Sequence, residues 1–141
     1  MKKVAVVYWS GTGNTEAMAS AVLEGAKAAG ADAEIFTSAE FNASMVSGYD
    51  AIAFGCPAMG AEVLEETEFE PMFESLKGSL TGKRVALFGS YGWGDGEWMR
   101  SWEADCEASG IDLACESYIC NETPGDDEKA ECAALGKAIA S

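Results

Sequence analysis

Ser10-Gly11-Thr12-Gly13-Asn14-Thr15 follows the apolar run Val4-Ala5-Val6-Val7-Tyr8-Trp9 and leads into Glu16-Ala17-Met18-Ala19. A buried strand that breaks into two glycines and three hydroxyl side chains before entering a helix is suited to wrap an anion. The first helical turn has unpaired N–H groups and a partial positive charge, and glycines let that backbone close around a phosphate. A nucleoside triphosphate loop would need a Gly-Lys pair followed by Ser or Thr, and this loop has no cation. A dinucleotide fingerprint would need a third glycine, where Glu16 stands. What remains is a single terminal phosphate, held by the hydroxyls of Ser10, Thr12 and Thr15, with Asn14 at the helix start. The competing reading is a capped turn without a ligand, because Ser, Thr and Asn are favoured caps.

Outward from this loop, short apolar runs alternate with helical spacing. Strands are expected at Val4–Tyr8, Ala33–Thr37, Ala51–Gly55, Arg84–Gly89 and Ile111–Ile119. Met18, Val22 and Ala26 repeat at helical spacing before Gly30, and Phe69, Phe73 and Leu76 do so before Gly78. Trp98, Trp102 and Cys106 mark a further helix ending near Gly110, a last one runs about Glu128–Ala140, and Ser38–Ser47 holds at most one short helix. Five β–α units in this order imply an α/β fold, a parallel sheet covered by helices on both faces, with a ligand crevice at the carboxyl ends of the strands. No repeat, linker or low-complexity tract interrupts residues 1–141, so a single domain is expected.

Composition narrows the chemistry. The 141 residues contain 24 Asp and Glu against 9 Lys and Arg, a net charge of -15, and no histidine. Nucleic acid and anionic membranes are improbable partners for such a surface, and a basic protein is the expected one. Without histidine, imidazole acid–base catalysis is absent, so any chemistry falls to a cofactor. Cys56, Cys106, Cys115, Cys120 and Cys132 form no CxxC pair and are odd in number. They are expected to be reduced packing residues in a reducing, cytoplasmic compartment. No stretch approaches the length of a membrane span.

Two more strand-end loops complete the pattern: Gly55-Cys56-Pro57-Ala58-Met59-Gly60-Ala61-Glu62 and Gly89-Ser90-Tyr91-Gly92-Trp93-Gly94-Asp95-Gly96. Aromatic side chains spaced by glycines on loops suit a flat ligand covered by a ring. Together, a strand into SGTGNTE, then GCPAMG, then FGSYGWGDGEW, resemble the flavodoxins of the short-chain, anaerobic type over essentially the whole chain. The fifth strand runs on to Cys120-Asn121 without the extra loop of long-chain relatives.

The resemblance implies a flavodoxin-like three-layer sandwich with sheet order 2-1-3-4-5, and flavin mononucleotide (FMN) as cofactor. Ser10, Gly11, Thr12, Gly13, Asn14 and Thr15 would hold its phosphate, with Ser90 adding a hydroxyl. Met59 and Trp93 would flank the ring, with Trp9 nearby and Pro57, Ala58, Tyr91, Gly92, Gly94 and Asp95 in the same loops. Glu62 would accept from flavin N3–H, and the Gly60 peptide would turn over on reduction so that its carbonyl accepts from N5–H. Ala61 stands where relatives carry acidic or polar residues, or glycine. In a type II turn it must adopt positive φ, at a cost on the order of 1 kcal/mol.

Glu62, Glu65, Asp95 and Glu97 are expected to rim the ring, with no cation in either loop. One carboxylate about 10 Å from an anionic reduced ring costs roughly 1.7 kcal/mol at an effective dielectric near 20. The implied function is a low-potential, monomeric one-electron carrier that cycles between semiquinone and hydroquinone. It would serve redox proteins with basic docking surfaces, such as reductases and ferredoxin-linked oxidoreductases. The alternative on the same fold is a small FMN-dependent quinone or nitro reductase. A phosphorelay receiver is excluded, because Ser10-Gly11 and Gly55-Cys56 replace its aspartates. A cysteine phosphatase is excluded because Glu62 stands where an arginine should follow Cys56.

Overall fold

The computed structural model describes residues 2–59, 63–92 and 94–140. In chain order its elements are β1 (Lys3–Tyr8), α1 (Asn14–Ala28), β2 (Asp32–Thr37), α2 (Ala43–Val46), β3 (Ala51–Gly55), α3 (Phe69–Leu76), β4 (Arg84–Tyr91), α4 (Glu97–Ala108), β5 (Tyr118–Asn121) and α5 (Asp126–Ala140). The strands form one sheet in the order β2-β1-β3-β4-β5, and each neighbouring pair is parallel. This is the expected order 2-1-3-4-5. It reverses direction between β1 and β3, which opens a crevice at the carboxyl ends of those two strands.

The apolar strand runs lack polar alternation because both faces of the sheet are buried. Val4, Val6, Ala51, Ala53, Ala86 and Phe88 pack with Met18, Val22 and Ala26 of α1 and Cys132, Leu135 and Ile139 of α5. Their neighbours Ala5, Val7, Ile52, Phe54, Val85 and Leu87 pack on the other side with Phe69, Phe73 and Leu76 of α3 and Trp98, Trp102 and Cys106 of α4. Trp102 meets Phe69 and Phe73 edge-on at centroid distances of 5.4 and 5.6 Å. All five cysteines are free thiols, four of them buried, in keeping with a packing role. Burial pushes the Cys56, Cys106 and Cys132 thiols up to about 12.

Helices α1 and α5 lie backbone against backbone. A Cβ added to Gly25 would stand 2.0 Å from the Ala133 carbonyl oxygen, and one added to Gly136 would stand 2.0 Å from that of Val22. No methyl group fits either place, and this close approach sets the spacing of α1 and α5.

The fifth strand departs from expectation. In place of Ile111–Ile119, continuous pairing is confined to Tyr118–Asn121, preceded by an isolated bridge between Val85 and Leu113. Between that bridge and the Phe88–Tyr118 pair, three steps along β4 are matched by five along the edge segment (88 − 85 against 118 − 113). Two extra residues therefore bulge out. Ala114 still donates to the Val85 carbonyl at 2.8 Å, but the Ser117 hydroxyl turns to Glu103 at 2.8 Å. An edge strand has one neighbour, so its apolar pattern does not enforce an unbroken ladder.

Candidate functional site

Four loops leave the carboxyl ends of β1, β3, β4 and β5 and enclose a cavity of about 440 Å³, within the range of small-ligand sites. Trp9, Gly11, Thr12 and Asn14 come from the first loop, Pro57, Ala58 and Met59 from the second, Ser90, Tyr91 and Gly92 from β4 and beyond, and Glu122 and Thr123 from the fourth. Backbone hydrogen bonds hold the loops in register. Trp9 N–H donates to the Gly55 carbonyl at 3.0 Å, Ala58 N–H to that of Ser90 at 2.9 Å, and Glu122 N–H to that of Tyr91 at 2.7 Å. A second hollow, of about 500 Å³, lies on the other side of the first loop, where Ser10, Gly13, Glu16, Thr37, Ser38 and Glu68 meet it. Trp9 lines both.

The start of α1 is prepared for an anion. Gly13 occupies the N-cap at φ 98°, and no side chain caps the helix. The Ser10 hydroxyl accepts from Gly13 N–H at 3.0 Å, and the first helical bond runs from Ala17 N–H to the Gly13 carbonyl at 3.0 Å. The amides of Asn14, Thr15 and Glu16 thus lack a partner among the described residues. Beside them the buried hydroxyls of Thr15 and Ser90 stand 2.8 Å apart. Neither hollow is lined by a Lys or Arg. A ligand phosphate would be held by amides, hydroxyls and the helix dipole alone.

Ten of the sequence-predicted residues therefore line the cavity, while Ser10 and Gly13 stand on the far side of the same loop and Thr15 lies beneath it. Gly60, Ala61, Glu62 and Trp93 lie outside the described residues. Gly94 and Asp95 are not brought to the cavity. Asp95 and Glu97 instead share Arg100, whose Nη2 lies 3.0 and 2.7 Å from their carboxylates. Arg100 stands outside that loop, in the first turn of α4, and reaches back to pair with both carboxylates.

Glu65 also departs from its expected place on the rim. It is 4% exposed, and its carboxylate accepts from the backbone N–H groups of Thr67, Glu68 and Phe69 at 2.9, 2.7 and 2.8 Å and from the Thr67 hydroxyl. The start of α3 has unpaired donors, and the nearest acidic side chain folds inward to meet them. Burial pushes the Glu65 carboxyl up, but the hydrogen bonds from Thr67, Phe69 and Glu68 outweigh it and hold the group below the usual carboxylate range.

Sequence reasoning missed Glu122 and Thr123. Glu122 turns the chain out of β5 at φ 58°, and the Thr123 hydroxyl donates to Asn14 Oδ1 at 3.2 Å, tying the fourth loop to the first. The signal was the polar stretch Asn121-Glu122-Thr123 running into the Pro124-Gly125 turn after the apolar residues of the strand. The residues that follow Asn121 were not weighed as a fourth loop of the site.

A family model described as Flavodoxin matches residues 6–136 of the chain. The flavodoxin of Megasphaera elsdenii is 50% identical over 137 residues, 97% of this chain and 98% of that protein. That of Clostridium beijerinckii is 43% identical over 136 residues, covering 96% and 98% respectively. The solution structure of two-electron reduced Megasphaera elsdenii flavodoxin superposes with a TM-score of 0.90 at 50% identity, covering 97% of this chain and 98% of the other.

Proposed function

The chain belongs to the flavodoxin family, and from that premise we propose that the cavity at the strand ends holds one FMN and that its mouth is where redox partners dock. The protein is an FMN-binding electron carrier rather than an enzyme. Family membership decides for that reading over the reductase alternative. FMN supplies one-electron chemistry at its ring; the chain supplies position, shielding and field.

The donor set fits this group. The open amides at the start of α1, with Ser10, Thr12, Thr15 and Ser90, suit a phosphate. The apolar surfaces of Trp9, Pro57, Met59 and Tyr91 suit the ring. Gly11, Gly13 and Asn14 shape the first loop, Ala58 and Gly92 let the other loops approach, and Glu122 and Thr123 close the fourth side. Gly60, Ala61, Glu62 and Trp93 are assigned to the ring by resemblance to the family. Gly94 and Asp95 hold the turn into α4 rather than the cofactor.

Among the described residues, the exposed acids Glu66, Glu68 and Glu122 are free to steer a partner. The partner is a redox protein with a basic surface, met transiently by a monomeric carrier whose residues 1–141 act as one domain in the cytoplasm. The observation that carries this reading is the apolar cavity opening beside cation-free, uncapped amides. Titration of the apoprotein with FMN and riboflavin tests it: one FMN per chain, with riboflavin bound about tenfold or more weakly for want of the phosphate contacts. Equal affinities would contradict the phosphate assignment.

A further inference from the structure

A third hollow, of about 320 Å³, lies between α3 and α4 and shares no lining residue with the cofactor cavity. Leu64, Trp98 and Trp102 give it an apolar floor, and Glu70, Glu74 and Asp105 line it with carboxylates. Among the described residues, Val63, which lines the same groove, is the large apolar side chain left exposed. Trp98 Nε1 donates to the Cys56 carbonyl at 3.1 Å, whereas the buried Trp102 Nε1 has no partner among the described residues. Buried donors are nearly always paired, so the packing here is incomplete. Lys77 Nζ bridges Glu74 and Asp105 at 2.8 and 2.7 Å, joining α3 to α4. One cation against three carboxylates leaves the groove two negative charges in excess. Met59, which lines the cofactor cavity, donates its N–H to the Val63 carbonyl at 3.0 Å, so the groove stands beside that cavity without opening into it.

We propose that the α3–α4 groove is an anchoring site for the redox partner, and that it takes a partner segment carrying an apolar side chain flanked by Arg or Lys. This rests on the carrier reading above and adds to it a place of grip away from the cavity mouth. An apolar side chain gains by covering Val63 and Leu64. The Glu70 carboxylate, which no cation pairs among the described residues, draws a flanking cation, and the aliphatic stem of Arg or Lys packs along the apolar floor. A second copy of this chain is a poor occupant, because a molecule of charge -15 is repelled by a groove of the same sign. Steering acids raise the rate of encounter, whereas a groove that buries a side chain fixes orientation and prolongs the contact.

The test uses FMN-loaded full-length protein and two peptides, acetyl-Arg-Leu-Arg-amide and acetyl-Glu-Leu-Glu-amide, followed through the amide and indole N–H resonances of isotope-labelled protein. The basic peptide should shift Leu64, Ser101 and the indoles of Trp98 and Trp102 in a saturable manner, and the acidic peptide should shift none of them. Val63→Ser and Glu70→Gln should each weaken the basic peptide about fivefold or more. Glu24→Gln, which removes the same charge from an exposed position on α1, should leave its affinity within about twofold of wild type. Equal weakening by Glu70→Gln and Glu24→Gln would reduce the effect to net charge and overturn the proposal. So would equal binding of both peptides, shifts confined to Gly92 and Glu122 at the cavity, or self-association through the groove. Failure of the wild-type protein to load FMN would instead sink the reading on which the proposal rests.

Discussion

A buried carboxylate held by three backbone amides and a hydroxyl makes Glu65 the residue on which acid stability should turn. Its folded pKa lies below the ordinary value, so its contribution is complete above the unfolded value of about 4.3 and is lost as the pH falls through the folded one. Glu65→Gln, which cannot ionise, should cost about 1–3 kcal/mol near neutrality. The gap from wild type should narrow as the pH drops below about 4. Urea unfolding of both proteins near neutrality and in acid checks this, and a gap that does not change with pH would show that the charge contributes nothing. The burial of Glu65 was not legible in the chain. Glu62, Glu65, Glu66 and Glu68 present the same side chain within seven residues, and which one turns inward depends on where the amides of α3 fall. The phosphate loop was legible because Gly11, Gly13 and three hydroxyls specify a local backbone rather than a distant partner.

At the scale of elements, the seam between α1 and α5 bears most on the site, because α1 carries the anion-binding amides at its start. Gly136→Ala would place a methyl group 2.0 Å from the Val22 carbonyl oxygen, where no side-chain rotation relieves it. The helices must separate, and such overpacking costs about 1–3 kcal/mol. Thermal unfolding should show that loss, whereas Gly78→Ala, where a Cβ meets nothing within 4 Å, should unfold close to wild type. Equal effects would remove the seam from the account. Periodicity located α1, α3, α4 and α5 because each buries one stripe on the sheet. It misplaced β5 because the run Ile111-Asp112-Leu113-Ala114-Cys115 looks like a strand, yet two surplus residues at the sheet edge displace regular pairing to Tyr118.

For the whole molecule, a charge of -15 without a single Lys or Arg lining either hollow sets how the carrier meets its partner and how hard its cofactor is to reduce fully. Electron transfer to a basic redox protein should slow several-fold as ionic strength rises and the Debye length falls from about 10 Å towards 3 Å. Glu66→Gln with Glu68→Gln should flatten that dependence, and a rate indifferent to salt would exclude steering by these acids. Arg100, held between Asp95 and Glu97, leaves the α3 side as the more acidic flank. The central claim is that four strand-end loops hold one FMN and hand on electrons singly. Anaerobic potentiometric titration of the FMN-loaded protein, followed by absorbance, tests it most directly. Two resolved one-electron steps, the second at markedly lower potential, are predicted; a single two-electron step from oxidised to fully reduced flavin would contradict it.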